Sequence, residues 1–339
     1  MNVECLWPKT TSASPASQIE QAGSNFGPLQ DSIPSGNGTL AIEDLRLLHH
    51  WTISTSQTLG TTISNLWQDK IVEMGFEYQF LLHGMLALSA IHKATVATGR
   101  PDEIESLLVQ SSAHLNIALG QFRALLGAVD PNTASPMFAT SSLLVVNRLA
   151  VGQVEEPSDP IAELLHCIHL VKGVKVVIAP YYYTILATEL APLISNGIPR
   201  EQATGQVPEV LRLKELVEAT VEEETRRTIF FEALESLHNT FLQVQGPDPG
   251  QSARALLFAW PASLPDGFLT LLADRDPIAM VFVAYFAVLF RLVGDHWWLQ
   301  DWDKRLLNAI QSCLGEKFQQ WLLWPMNHQS PPEEVSGQM

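Results

Sequence analysis

The run 278-IAMVFVAYFAVLF-290 decides the fold class of this chain. Its thirteen residues carry no charge, and Arg291 closes the run. A helix needs about 20 apolar residues to cross a bilayer, so this run is too short for a membrane span. It predicts a helix buried inside a protein core, and we expect no membrane span.

Helix-length apolar blocks continue on both sides of this run. The segment that starts at Ala41 predicts the first helix of the folded domain, because one face repeats apolar residues at helical spacing. That face consists of Ile42, Leu45, Leu48 and, further on, Trp51 or Thr52. The block from Leu66 to Gly99 is apolar nearly all round and predicts a central helix, and residues 103–129 and 134–150 predict two more long helices.

The blocks together predict an all-α fold. Only a weak patch, VKVVI at 174–178, suggests the period of two that is typical of strands. We therefore expect a single multi-helix domain of about ten helices. A helical-repeat solenoid is a minor alternative, because no period of 20 to 50 residues repeats clearly.

Composition shifts along the chain predict the domain boundaries. Residues 9–40 are rich in Ser, Gly, Pro and Gln and poor in apolar periodicity, which is typical of a disordered linker. We expect the helical domain to cover residues 41–326 and a disordered tail to cover residues 327–339.

Charge and cysteine content restrict the functional class. The net charge is −16 and basic residues are sparse, so nothing here neutralises a row of phosphates, and we expect no direct DNA binding. Three scattered cysteines suit a reducing compartment rather than a disulfide framework. The first residues contain no apolar signal core, so we expect a protein that is not secreted and resides in the nucleus or cytoplasm.

Sequence motifs for cofactors and metals are weak. The glycines form no GxGxxG or P-loop pattern, and HExxH is absent, so the sequence predicts no cofactor. The segment 166-HCIH-169 contains three potential ligands on an apolar helix without acidic partners. Core packing explains it better than a metal site, and we predict no metal.

Aromatic residues concentrate in the C-terminal third. Six of the nine tryptophans lie there, namely Trp260, Trp297, Trp298, Trp302, Trp321 and Trp324. They indicate either a large core or an aromatic-lined cavity for a flat, apolar ligand. The candidate pocket wall is Phe282, Tyr285, Phe286 and Leu289 on one helix, followed in the next turn by His296, Trp297 and Trp298. Tyr285 or His296 would be the polar anchor, and plain core packing of all seven is an equal alternative.

Four separated blocks carry a family resemblance. Residues 45–59, 66–94, 170–180 and 260–310 resemble, in order and spacing, the C-terminal regulatory domain of fungal zinc-binuclear-cluster transcription factors of the sterol uptake control type. The resemblance implies a helical domain whose C-terminal helices enclose an apolar pocket. In the sterol-sensing members, that pocket holds a sterol and couples its occupancy to nuclear entry and gene activation.

The segment 3-VECLWP-8 looks like the end of the six-cysteine zinc cluster of this family, with Cys5 in the place of the last ligand. Residues 1–8 are therefore interpreted as a remnant of that cluster. One thiolate cannot hold two zinc ions, because each ion needs four ligands. This too predicts that the chain as written does not read DNA by the route of the family.

Two classes of function follow. The first is a fungal, ligand-responsive transcription regulator tied to sterol or secondary-metabolite genes. It would bind a small apolar ligand, such as a sterol, terpenoid or polyketide. Either the sequence begins one exon late, or the chain is a truncated form that acts through a full-length factor as protein partner. The alternative is an enzyme of natural-product biosynthesis, a metal-free cyclase, isomerase or Diels-Alderase-like pericyclase. Such an enzyme needs only shape, proximity and one or two hydrogen bonds, so missing catalytic motifs do not exclude it.

Overall fold

The computed structural model describes residues 41–60, 65–97, 99–195, 205–246, 253–294 and 296–328. The chain divides into two units, residues 1–40 and residues 41–339, and every described residue belongs to the second. The expected zinc-cluster remnant, the linker and the tail from residue 329 therefore lie outside the described residues. The domain boundaries stay predictions.

The described part of the chain contains seventeen α-helices and no strand, which confirms the all-α fold. The first nine are α1 (Ile42–Ile53), α2 (Ile71–Glu77), α3 (Gln79–Val96), α4 (Pro101–Leu125), α5 (Ala134–Val151), α6 (Pro160–Ile178), α7 (Tyr182–Leu186), α8 (Ala191–Ser195) and α9 (Pro208–Leu211). The others are α10 (Leu213–Thr220), α11 (Glu224–Val244), α12 (Ala253–Leu257), α13 (Ala259–Ser263), α14 (Asp266–Ala273), α15 (Pro277–Leu292), α16 (Trp302–Cys313) and α17 (Glu316–Asn327). Short 3-10 or π turns cover Thr55–Leu59, Leu66–Lys70, Ala179–Tyr181 and Trp297–Leu299.

Helix α15 is the central helix of the C-terminal half. Every residue from Ile278 to Phe290 is buried, as the sequence predicts. Asp276 caps the helix by accepting hydrogen bonds from the backbone N–H groups of Ile278 and Ala279, at 2.9 and 3.0 Å. Pro277 opens the first turn, where its missing N–H is not needed. Helices α10, α11, α14, α16 and α17 pack around α15.

Helix α3 is the corresponding centre of the N-terminal half and packs against α1, α2, α4 and α5. The prediction of one continuous helix from Leu66 is wrong in its first third. The chain there forms a π turn and α2, and it leaves helical geometry at Tyr78 before α3 begins. The ring of Tyr78 packs edge-on against Phe80, and α2 packs back against α3.

The predicted buried face of α1 is wrong in part. Ile42 and Leu45 are 63% and 45% exposed, whereas Leu47 and Trp51 are buried. The Trp51 indole donates a hydrogen bond of 3.0 Å to the carbonyl of Trp67. A buried indole needs such a partner, so this contact fixes the rotation of α1 and turns Ile42 and Leu45 toward solvent.

The helix count exceeds the predicted ten because short helices escape periodicity. Eleven of the described α-helices have eight or more residues, and six have four to seven. One or two turns contain too few apolar repeats to give a periodic signal. Among the described helices, none alone is long and apolar enough to cross a bilayer, and only Ala255–Ser263 with Asp266–Ala273, bent by 92°, reaches that length and apolarity together.

Candidate functional site

Two of the predicted pocket residues, Phe282 and Phe286, lie in a closed aromatic core. The Phe282 ring contacts the rings of Phe230 and Phe268, with centroids 5.5 and 5.9 Å apart. The Phe286 ring lies 4.6 Å from that of Trp260. All five side chains are fully buried. These two phenylalanines therefore act as core in this structure.

Tyr285 lies on a different face of α15 and packs against the C-terminal helix. Its ring stacks on Trp324 of α17, with centroids 5.0 Å apart and planes inclined by 29°. Burial raises the pKa of Tyr285 to about 12, so the hydroxyl stays protonated and can donate a hydrogen bond. Leu289, one helical turn along, is fully buried.

Trp324 connects Tyr285 to an open cleft of about 210 Å³. Its lining residues are Gln206, Val207, Pro208, Glu209, Gln245, Trp324 and His328. The Trp324 ring also packs against Phe241 and His328, at 5.9 and 4.9 Å. We call this feature the α17 cleft. It combines one tryptophan ring with amide, carboxylate and imidazole groups.

Side chains from neighbouring helices hold the two walls of the α17 cleft. On one wall, the backbone N–H of Val207 donates a hydrogen bond of 3.0 Å to Nε2 of His238 on α11. On the other wall, Nη1 of Arg291 donates to the carbonyls of Pro325 and His328, at 2.9 and 2.7 Å. The same guanidinium pairs with Asp303 through Nε. The end of α15 thus fixes the end of α17.

His328 is a half-buried residue in the lining of the α17 cleft. Its Nε2 atom is buried and has no hydrogen-bond partner among the residues that the structure describes. Burial, with the nearby positive charge of Arg291, lowers the pKa of His328, and Glu209 opposes this shift. The imidazole is therefore neutral near pH 7.

The other three predicted pocket residues do not join Tyr285. Helix α15 ends at Leu292, and Gly294, with φ of +88°, turns the chain away before the 3-10 turn of Trp297–Leu299. His296, Trp297 and Trp298 therefore lie beyond the end of the helix that carries Tyr285.

These residues instead pack on the N-terminal half and on each other. Trp297 stacks on His92 of α3 at 4.6 Å, and its indole donates to Oγ1 of Thr58 at 2.9 Å. His296 stacks on Trp298 at 5.9 Å, and Trp298 also stacks on Phe258 at 6.3 Å. His296 is thus not positioned by the same contacts as Tyr285, and its role as a polar anchor stays a prediction.

The HCIH segment lies on α6 with its side chains separated. His166 and His169 are exposed, whereas Cys167 is buried. Burial raises the pKa of the Cys167 thiol to about 12. Within the described ranges, no group of three or more His, Cys, Asp or Glu side chains is placed to hold a metal ion.

Sequence reasoning missed most of the α17 cleft. Gln206, Glu209 and Gln245 come from segments remote in sequence, and no pattern connects them. The spacing of Trp324 and His328, four residues apart near a helix end, was the available signal.

No protein-family model matches the chain. It is 26% identical to a Zn(2)-C6 fungal-type transcription factor of Gibberella zeae, over 91% of this chain and 68% of that protein. It is 27% identical to the Zn(2)-C6 fungal-type transcription factor afumD of Aspergillus fumigatus, over 75% of this chain and 69% of that protein.

The chain is also 30% identical to Sterol uptake control protein 2 of Saccharomyces cerevisiae over a shorter segment. That segment covers 40% of this chain and 14% of that protein. The similarity to the two transcription factors, in contrast, runs along most of this chain. The homologues of this chain are thus fungal Zn(2)-C6 transcription factors.

Proposed function

We propose that this chain is a ligand-responsive regulator of transcription, and that its helical domain corresponds to the C-terminal regulatory part of such factors. The observation that carries the proposal is the similarity to a Zn(2)-C6 transcription factor along 91% of the chain. The nucleus is the expected location of a protein with such relatives. The net charge of −16 favours an action through a full-length DNA-binding partner.

The proposed ligand is a small apolar molecule such as a sterol, terpenoid or polyketide. The sterol uptake control protein among the relatives supports a sterol or a related compound. The stack of Tyr285 on Trp324 beside an open cleft supplies an aromatic surface on which such a molecule would pack. The cyclase or pericyclase alternative gains no support from the relatives, which are described as transcription factors or a control protein.

A reporter assay tests the regulatory role. The full chain is fused to the DNA-binding domain of a bacterial repressor and expressed in a yeast sterol auxotroph that carries the matching operator upstream of a reporter gene. We expect reporter transcription to change several-fold as the sterol supply is lowered. The isolated DNA-binding domain, expressed to the same level, is the control and should give a constant signal.

Binding is measured separately with dehydroergosterol, a fluorescent sterol, added to the purified chain while its tryptophan emission is recorded. Energy transfer that saturates supports a sterol ligand. A reporter that stays constant at every sterol, terpenoid and polyketide supply would contradict the proposed regulation.

A further inference from the structure

Helix α4 presents a long outer face to solvent. Its inner face packs against α3, and the buried residues there are Leu107, Ser111, His114 and Ala118. On the opposite face, a series of positions with heptad spacing is exposed throughout. The members of this series are Ser106, Val109, Ala113, Asn116, Gly120 and Arg123. We call them the α4 seam.

Most of the α4 seam lies in a stretch without charged residues. The seventeen residues from Ser106 to Phe122 contain no Asp, Glu, Lys or Arg, although these types make up 17% of the chain. Val109 and Ile117, on the outer side, are 64% and 43% exposed. A helix face that stays in water normally carries charged residues, whereas depletion of charge is typical of the core of a protein interface. The outer face of α4 therefore has the composition of a surface that another protein covers.

The α4 seam is complementary in shape to a second copy that runs antiparallel. A two-fold axis at the level of residues 114 and 115 places Val109 of one copy opposite Gly120 of the other, and Ala113 opposite Asn116. Each larger side chain then faces a small residue, as in the packing of knobs into holes. In a parallel pair, each seam residue would instead face itself, so Val109 would meet Val109 and Gly120 would meet Gly120.

The charges at the two ends of α4 follow the same symmetry. Asp102 and Glu105 are exposed near its N-terminal end, and Arg123 is exposed near its C-terminal end. In the antiparallel pair, Arg123 of each copy faces Ser106 of the other, beside Glu105 and one turn from Asp102. In a parallel pair, like charges would meet and repel. This complementarity of charge favours a second copy of the chain as the occupant of the face.

We propose that the outer face of α4 is the interface of a homodimer, in which two copies of this chain pair antiparallel along the α4 seam. The helix has 25 residues and is therefore about 38 Å long. One helix from each copy gives an interface at the small end of the range for specific complexes, so the dimer is in equilibrium with the monomer. The proposal concerns assembly and does not depend on a ligand.

Sedimentation equilibrium of the full chain tests the homodimer. Between about 1 and 200 μM, the average mass should rise from that of one chain toward that of two. Gly120→Leu is the disruptive variant. No atom of the described residues lies within 4 Å of a Cβ added at Gly120, whereas Val109 of the second copy would occupy that space. The clash occurs twice by symmetry, so the dimer should weaken at least about tenfold.

Gly173→Leu is the matched control, because Gly173 is also an exposed helical glycine with the same open space around an added Cβ. It should dimerise like the wild type. Circular dichroism at the lowest concentration compares the thermal unfolding of the two variants as monomers. Both should unfold at or above the wild-type midpoint, since glycine is a poor helix former.

A charge exchange tests the orientation of the two copies. Glu105→Arg and Arg123→Glu should each weaken the dimer severalfold, because each change brings like charges together twice. The double variant restores opposite charges in the antiparallel pair and should recover the wild-type affinity. In a parallel pair, each single change would only exchange one pair of like charges for another. These exposed positions also keep the test available if Gly120→Leu does not fold.

Three outcomes would overturn the proposal. The first is a wild-type chain that stays monomeric at every concentration, even if a different protein binds the face. The second is a folded Gly120→Leu that dimerises like the wild type. The third is a double charge variant that dimerises no better than the single variants.

Discussion

Tyr285 combines a structural ring with an ionisable group that stays protonated. Tyr285→Phe keeps the stack on Trp324 and removes only the hydroxyl, so the free energy of unfolding should change by less than about 1 kcal/mol. Ligand binding should weaken if the hydroxyl donates to the ligand. Urea denaturation and dehydroergosterol titration of the same preparation measure the two effects.

Tyr285→Ala is the matched control, because it removes the ring as well. Loss of a buried aromatic ring costs about 3 to 5 kcal/mol, so this variant should be much less stable. Equal ligand affinity in the wild type and in Tyr285→Phe would remove the hydroxyl from the binding site.

His92 makes the stability of the fold depend on pH. Burial is the main cause that lowers its pKa from 6.5 to about 4, and the neighbouring His50 adds to this effect. Above pH 6.5 the imidazole is neutral in both the folded and the unfolded chain. Below pH 6.5 only the unfolded chain binds the proton, so the free energy of unfolding falls until about pH 4, by about 3 kcal/mol in total.

Urea denaturation at pH 7 and pH 5 measures this effect. His92→Gln should lose part of the difference between the two pH values, whereas His49→Gln, at an exposed position, should keep it. Other histidines have a lowered pKa, among them the half-buried His83 and the buried His114, so a residual pH dependence is expected. An unchanged difference in His92→Gln would contradict the assignment to this residue.

At the scale of elements, the stability of α15 depends on its N-terminal cap. Asp276→Ala removes the acceptor for the N–H groups of Ile278 and Ala279 and the ion pair with Arg226. The lost cap alone should lower the free energy of unfolding by about 1 to 2 kcal/mol. Asp276→Asn keeps an acceptor oxygen and should recover most of that loss. Equal destabilisation by Ala and Asn would assign the effect to the ion pair instead.

The contact between α5 and α16 leaves no space for a side chain at Gly152. An added Cβ would lie 2.9 Å from Cζ2 of Trp302, whose indole is fixed by a 3.0 Å hydrogen bond to the carbonyl of Leu149. Gly152→Ala should therefore destabilise the fold by about 1 to 3 kcal/mol. Gly173→Ala on α6, where nothing lies within 4 Å, is the control and should stabilise it by up to about 1 kcal/mol. Thermal unfolding of Gly152→Ala and Gly173→Ala compares the stabilities of the two variants.

The helices could be predicted from the sequence where they are long and where their apolar residues recur at helical spacing. The α15 run predicts its own burial because no other environment suits thirteen uncharged residues. The break at Tyr78 and the rotation of α1 could not be predicted, since they depend on contacts of Tyr78 with Phe80 and of Trp51 with Trp67. The same holds for the α17 cleft, whose walls meet only through tertiary packing.

At the scale of the whole molecule, the charge of −16 opposes contact with nucleic acid. Mixed with duplex DNA at about 50 mM salt, the chain should give no retarded band at concentrations up to about 10 μM. The reporter fusion, with its added DNA-binding domain, is the positive control. A salt-sensitive complex of the chain alone would contradict the expectation.

One guanidinium ties three helices of the C-terminal half together. Arg291, at the end of α15, holds the carbonyls of Pro325 and His328 and also pairs with Asp303 on α16. A displacement of the backbone at His328 that keeps its hydrogen bond to Nη1 must therefore move the guanidinium that also pairs with Asp303. The Arg291 side chain thus couples the C-terminal end of α17 to the first turn of α16.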